Sequence, residues 1–255
     1  MKALILAAGY ATRLYPLTLD FPKPLLEVGG KTLLDHLVDQ IREIPGIEHA
    51  VLVSNHRFVG HFDLWAAERT AQARRGGQAH RGLRFEVLDD GTTSNDDRLG
   101  AVGDIQYALT HRDVDDDLLV CAADNILQFP LKRFVQTFRG NPASHICVRA
   151  IEDVEDRKRR GIVLLDADNR VLEFEEKPEA PKSKWAVPPL YIYPKSVLPR
   201  IAEYLQQGGT SDAPGHLLEW LCQVEPVYAY EIEGSVLDIG NHESLAEARR
   251  MLVNQ

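Results

Sequence analysis

The chain has 255 residues, 44% hydrophobic and 26% charged, the composition of an ordinary globular protein with room for one large α/β domain or two small ones. A formal net charge of −9 and a pI near 5.5 argue against a broad basic surface for nucleic acid, while leaving room for a small basic pocket that takes a compact anion. No apolar run approaches the roughly 18 residues a membrane helix needs, and the leading KALILAAG is too short for a signal peptide, so no membrane partner and a cytoplasmic location are expected. Cys121, Cys147 and Cys222 are scattered singly, which predicts reduced core thiols rather than a disulfide framework. The nine histidines include no H-E-x-x-H, so no zinc site is suggested.

In chain order, the continuous apolar run 2–8 predicts a strand buried on both faces and ending at Gly9. Apolar residues at helical spacing over 32–44 predict a helix that stops at Pro45-Gly46, and 49–55 reads as the next strand. A helix is expected at 61–75, a strand at 83–89, a polar stretch at 90–100, a helix at 101–111 and a strand at 116–125. The second half changes texture: 143–151, 161–178 and 188–194 are strand-like, with the turn residues DADN at 166–169 making a hairpin. Helices are expected at 195–206 and 215–223, a strand at 227–234, and a closing helix at 242–252. There is no internal repeat. The β/α alternation of the first half implies a mostly parallel sheet with right-handed crossovers, in which ligands bind beyond the carboxyl ends of the strands.

Several charged residues fall at such places. Arg13 follows the first strand after AAGYAT, where backbone N–H groups and one guanidinium could cradle phosphate oxygens. The plainer alternative is a surface arginine paired with a carboxylate. Lys23 sits between two prolines on a stiff loop, which suits point-charge binding, although X-P-K-P taken alone reads as a solvated lysine. Asp124 ends a strand and could ligate Mg²⁺ or simply cap a helix; Asp238 follows GSVL and could be only a turn residue. Glu176 and Lys177 are adjacent at a strand end, as sugar and phosphate contacts or as a solvated turn. The basic run RKRR at 157–160 is flanked by acidic residues and reads as a solvated loop.

In combination these segments resemble the sugar-1-phosphate nucleotidylyltransferases over nearly the whole chain. LAAGYATRLYPLT looks like the family's nucleotide signature, PKPLLEVGGK its lysine loop, and RLGAVGD its short glycine segment at the base. EEKP matches the sugar-phosphate segment, and VLDIGNHESLAEA the closing aspartate motif. The resemblance implies a Rossmann-like α/β core, a mostly parallel sheet flanked by helices, with a smaller antiparallel sugar-binding lobe. It implies one domain over 1–255, with 1–142 mainly for the nucleotide, 143–240 mainly for the sugar phosphate and 241–255 a closing helix. Arg13 and Lys23 would hold phosphates during transfer. Leu6, Ala8, Gly9, Thr12, Asn95 and Gly100 would line the nucleotide, and Gly161, Glu176 and Lys177 the sugar phosphate. Asp124 and Asp238 would coordinate Mg²⁺. The partners implied are a nucleoside triphosphate, a sugar-1-phosphate and a second copy of the chain.

Three departures from the family pattern stand out. Ala11 occupies a position where glycine is usual, which suggests that the turn does not demand glycine. Pro188-Pro189 replaces a segment that commonly touches the sugar, and Asn241 replaces threonine. Two alternatives remain open: a cytidylyltransferase acting on a non-sugar phosphate such as phosphocholine, and a non-catalytic regulatory relative. The presence of Arg13, Lys23, Asp124, Lys177 and Asp238 together weighs against the latter.

Overall fold

The computed structural model describes residues 1–75, 82–112 and 114–252; the last three residues of the expected closing segment lie outside them. The first elements are β1 (Lys2–Leu6), β2 (Glu27–Val28), β3 (Lys31–Thr32), α1 (Leu33–Arg42), β4 (His49–Ser54), α2 (Val59–Arg75) and β5 (Arg84–Asp89). There follow α3 (Ala101–His111), β6 (Leu118–Ala122), β7 (Asn125–Leu127), α4 (Leu131–Gly140), β8 (Ser144–Ala150) and α5 (Val154–Arg157). The hairpin β9 (Gly161–Leu165) and β10 (Val171–Glu176) leads to β11 (Trp185–Val187), β12 (Leu190–Tyr193), α6 (Leu198–Gln206) and α7 (Pro214–Val224). The chain closes with β13 (Val227–Glu231), β14 (Val236–Asp238) and α8 (His242–Leu252). No helix among the described residues is long and apolar enough to cross a membrane.

These elements form two compact units, each discontinuous in sequence: Met1–Arg98 with 122–132 and 236–255, and Leu99–Cys121 with 133–235. In the first, β1, β4 and β5 are parallel, with Leu4 opposite Val51 and Leu52 opposite Val87. Ala3, Leu4 and Ile5 are completely buried, so β1 is covered on both faces as its unbroken apolar run predicts. Helix α1 starts in a capping box: the Thr32 hydroxyl accepts from Asp35 N, and Asp35 accepts from Thr32 N. Its buried stripe, Leu33, Leu34, Leu37, Val38 and Ile41, has the spacing of one helix face. Asp35 also takes two 2.6 Å bonds from Arg69 and one of 3.0 Å from Trp65, pinning α2 to α1. Burial works to raise the Asp35 pKa, but the bonds from Arg69, Thr32 and Trp65 outweigh it and hold the carboxyl below its usual range.

The second unit carries a sheet in the order β10-β9-β11-β8-β12-β6, antiparallel throughout, with β13 running parallel to β8. The predicted hairpin turn is present: Asn169 adopts φ 61°, the left-handed conformation asparagine tolerates best after glycine. Between β11 and β12, Leu190 N reaches back to Pro188 O at 2.7 Å, so the Pro188-Pro189 pair builds a tight turn rather than a strand segment. Cys121 and Cys147 are buried and Cys222 is half-buried, all three as free thiols.

The structure differs from the sequence expectation in a few elements. The apolar stretch 116–125 is two strands, β6 and β7, with Asp124 in the break between them. Helix α4 goes unpredicted, although Leu131, Phe134, Val135 and Phe138 are buried at helical spacing. The RKRR run is not simply solvated: Arg157 ends the single turn α5, Lys158 pairs with Glu155 at 2.6 Å, and Arg160 with Asp156 at 3.0 Å.

Candidate functional site

In the first unit, four charged residues from four separate chain segments are anchored by one apolar cluster. Leu14, Leu26, Val28, Leu33, Ile126, Ile239, Leu245 and Ala248 pack together. Arg13 precedes Leu14, Lys23 lies three residues before Leu26, Asp124 two before Ile126, and Asp238 one before Ile239. Burial of these aliphatic neighbours fixes the loop backbones, and the charged side chains project from a shared platform.

Lys23 opens a short 3₁₀ turn behind Pro22, whose φ of −72° and ψ of 135° set the extended entry that proline imposes. It is not the solvated lysine that X-P-K-P alone suggests. The residue is only 7% exposed, and its Nζ lies 2.7 Å from Asp124 Oδ2. A buried ammonium is tolerated only with such a partner. The other oxygen, Asp124 Oδ1, accepts from Asn125 Nδ2 at 2.6 Å. Strands β7 and β14 then bring the second aspartate alongside: Asn125 is opposite Asp238, and Ile239 N reaches Asp124 O at 3.4 Å. Arg13 is close to the same place. A methyl group built on Gly240 would be 3.8 Å from Arg13 Nη1 and 3.9 Å from Asp238 Oδ1. The four residues singled out for phosphate and metal chemistry therefore gather in one unit, across more than 200 positions of sequence.

The backbone leading to Arg13 departs from the sequence expectation at Ala11. Ala11 sits at φ 48°, ψ 43°, in the left-handed region, so the turn does call for a glycine-like conformation. Three contacts hold alanine there. Its carbonyl accepts from Leu14 N at 2.9 Å and from the Thr18 hydroxyl at 2.8 Å, and its side chain packs against the apolar cluster. Leu6 ends β1, Ala8 is buried with its carbonyl bonded to Asn55 Nδ2 at 2.9 Å, and Gly9 is exposed with open space where a side chain would go. Thr12 begins the 3₁₀ turn that presents Arg13. Asn55 and Asn125 have no motif signal, whereas Thr18 closes the LAAGYATRLYPLT segment; each acts on the site through the backbone or a neighbouring carboxylate.

The residues expected at the base fall in different units. Asn95 is exposed in a turn of the first, where Arg98 Nη1 bonds its carbonyl at 2.8 Å. The same loop is staked by Asp97, which accepts N–H bonds from Thr93 and Ser94, and those bonds lower its pKa to about 2. Gly100 caps α3 in the second unit at φ 81°, and a methyl group there would stand 2.5 Å from Ser211 O. Glycine is required at this position by the close approach of 211–212, whatever else it touches.

In the second unit, Gly161, Glu176 and Lys177 come together as the hairpin register dictates, with Gly161 directly opposite Glu176. The solvated-turn alternative fails for Glu176, whose side chain is 13% exposed, and holds for Lys177, whose side chain is 62% exposed with its Nζ 3.4 Å from Glu176 Oε1. Lys177 adopts φ 49°, a conformation disfavoured for a side-chain-bearing residue, while its N–H bonds Arg160 O at 3.1 Å. Among the described residues, two of the three non-glycine left-handed positions, Ala11 and Lys177, thus lie in segments singled out for function.

The Nucleotidyl transferase family profile matches residues 2–255. A bifunctional GlmU protein from Methanocaldococcus jannaschii is 27% identical over 261 residues, covering 100% of this chain and 55% of that protein. The mannose-1-phosphate guanylyltransferase catalytic subunit beta of Xenopus tropicalis is 29% identical over 244 residues, covering 94% of this chain and 61% of its own length. The chain thus spans little more than half the length of these curated relatives. Among solved structures, a UDP-glucose pyrophosphorylase complexed with UDP-glucose superposes with a TM-score of 0.81 at 20% identity, covering 99% of this chain and 98% of that one. A Bacillus anthracis protein assigned as a glucose-1-phosphate thymidylyltransferase, crystallised with sucrose, gives a TM-score of 0.82 at 22% identity, covering 100% and 96%. The fold is the α/β nucleotidyltransferase fold that the sequence resemblance implies.

Proposed function

Since the chain belongs to the nucleotidyl transferase family, we propose that it transfers a nucleotidyl group from a nucleoside triphosphate to a sugar-1-phosphate, giving an NDP-sugar and pyrophosphate. The observation that carries this reading is the gathering of Arg13, Lys23, Asp124 and Asp238 on one apolar platform. A phosphate oxygen of the sugar-1-phosphate attacks the α-phosphorus, the bond to the bridging α–β oxygen breaks, and pyrophosphate leaves with that electron pair. The nucleophile is already an anion, so no general base and no covalent enzyme intermediate is needed. The barrier is repulsion between anions, and catalysis rests on positioning and charge neutralisation.

Arg13, exposed in the middle of its 3₁₀ turn, supplies a planar two-donor guanidinium for phosphate oxygens, and Lys23 a point charge. Asp124 holds the Lys23 ammonium at 2.7 Å and so sets its position before substrate arrives. In the second unit, Lys177 would meet the sugar phosphate and Glu176 would accept from sugar hydroxyls.

The donor set fits Mg²⁺. Among the described residues no three or more His, Cys, Asp or Glu converge into a metal cage, whereas Asp124 and Asp238 stand on neighbouring chain segments with oxygen donors only. Mg²⁺ keeps several waters and is held by one or two carboxylates with substrate phosphates, so two aspartates suffice. Asp124 and Asp238 would hold the ion, which would supply positive charge to offset that of the phosphates. Pyrophosphate release measured across four nucleoside triphosphates and a panel of sugar-1-phosphates, with phosphocholine as a control acceptor, tests the reading. Turnover with at least one sugar-1-phosphate is expected; turnover with phosphocholine alone overturns it.

A further inference from the structure

Helix α7 opens in the segment APGHLLEW at 213–220, which belongs neither to the platform nor to the expected sugar contacts. Its first turns lie against the end of β10. Glu176 N, at the last residue of that strand, donates to Glu219 Oε1 at 2.8 Å. The second oxygen of Glu219 is held 3.1 Å from His216 Nδ1, one helical turn earlier on the same face. A carboxylate bonded through both oxygens has little rotational freedom left. The Glu176 carboxylate is confined as well. A side chain on Gly215 would collide with its Oε2, and one on Gly161 would come within 3.3 Å of the same atom. Glu176 therefore lies in a slot with a glycine on either side, one on β9 and one on α7.

We propose that Glu219 is a positioning residue for the sugar-phosphate segment, fixing the Glu176 backbone so that its carboxylate stays in the Gly161–Gly215 slot with Lys177 beside it. The proposal rests on the sugar-1-phosphate reading above and deepens it: α7 sets how the acceptor sugar is held, independently of the nucleotide. Glu219 is 36% exposed on its side chain and its bonds go to one neutral N–H and one histidine, so an arrangement of this kind adds little to stability. Its consequence is directional. Without it the Glu176 N–H loses its acceptor, and the strand end bearing Glu176 and Lys177 is free to shift by fractions of an ångström, enough to matter at a binding carboxylate.

The test is steady-state kinetics with the best substrate pair of the wild-type protein, varying each substrate in turn. Glu219→Ala should raise KM for the sugar phosphate about tenfold, with KM for the nucleotide within about twofold, as loss of one hydrogen bond to a binding group implies. Glu219→Gln keeps an acceptor oxygen for Glu176 N and should recover to within about threefold of wild type. Gly215→Ala reaches the same slot from the other side and should give the same one-sided KM effect, even if Glu219→Ala folds poorly. A Glu219→Ala or Gly215→Ala protein with wild-type sugar-phosphate kinetics overturns the positioning role. So does a loss shared equally between both substrates and matched by a fall in Tm, because that is the signature of general destabilisation. A wild-type protein that turns over no pair in the panel overturns the activity, and the positioning role with it.

Discussion

The charged platform of the first unit and the hairpin slot of the second solve the same problem, holding charge in place, by different means. Arg13, Lys23, Asp124 and Asp238 come from four segments distant in sequence, each fixed by an aliphatic neighbour within three residues that inserts into one cluster. Gly161, Glu176 and Lys177 come from one hairpin and are fixed by pairing register, by two glycines and by Glu219. The first arrangement is set by burial and leaves its charges to interact with one another, as Lys23 does with Asp124. The second is set by shape, and its carboxylate is confined before any partner arrives. A charge platform should be sensitive to loss of a charge, and a slot to addition of a methyl group.

The largest expected effect follows from that difference. Arg13→Ala should lower kcat by about 10²- to 10³-fold, the range for removing one transition-state charge stabiliser, with Tm nearly unchanged because Arg13 is exposed and Leu14 still anchors the loop. A variant with normal turnover would end the role given to Arg13. Next, Asp124→Asn should move the Mg²⁺ midpoint upward by about tenfold, since a ligand charge is lost while the shape is kept. It should also lower stability, because Lys23 would keep its burial and lose its counter-charge. An unchanged Mg²⁺ titration would remove Asp124 from the ligand set.

The contrast also explains what could be read from sequence. Strands with unbroken apolar runs and the helices at 101–111 and 242–252 were legible because burial imposes their periodicity directly. The charged platform was legible only through the order of its motifs, since nothing in X-P-K-P says that Lys23 is buried against a residue 101 positions away. Helix α4 carries a clear helical apolar spacing, but it lies between two stronger strand signals that dominate this part of the sequence. Asn55, Thr18 and Glu219 act by accepting or donating to backbone atoms, and such roles depend on where the backbone goes. Ala11 is instructive in another way: residue type argued for an ordinary conformation, and the local bonds to Leu14 and Thr18 imposed a left-handed one.

Acid should separate the two units. In the second, His145 is 2% exposed, stacked on Tyr228 and edge-on to Phe138, and burial lowers its pKa below the ordinary 6.5. The unfolded chain then binds a proton that the folded unit refuses, so stability falls as pH drops below about 6.5 and levels off below the folded value. In the first unit the Asp35 carboxyl is held below its ordinary 3.8 by Arg69, so its contribution is intact at those pH values and is lost only as pH falls below 3.8. Hydrogen exchange at pH 7 and pH 5 should show protection lost from β8 and β13 before α1 and α2. His145→Phe, which keeps an aromatic ring and removes the titration, should flatten the difference; equal loss in both units would refute the assignment.

The smallest expected effect tests what the left-handed residue is for. Ala11→Gly relieves a conformation that costs about 1 kcal/mol for alanine, offset in part by the greater freedom of glycine in the unfolded chain and by loss of one methyl contact. A net gain below about 1 kcal/mol corresponds to a Tm rise of about 1–3 °C for a protein of this size. The bonds from Leu14 N and the Thr18 hydroxyl run to the Ala11 carbonyl, not to its side chain, so both survive the substitution and Arg13 keeps its direction. Turnover should therefore stay within about twofold while Tm rises. A fall in Tm would mean that the methyl group's packing outweighs the backbone strain. A rise in Tm with a loss of kcat would mean that the strain itself aims the arginine, and the platform would then share the shape-dependence of the Glu176 slot.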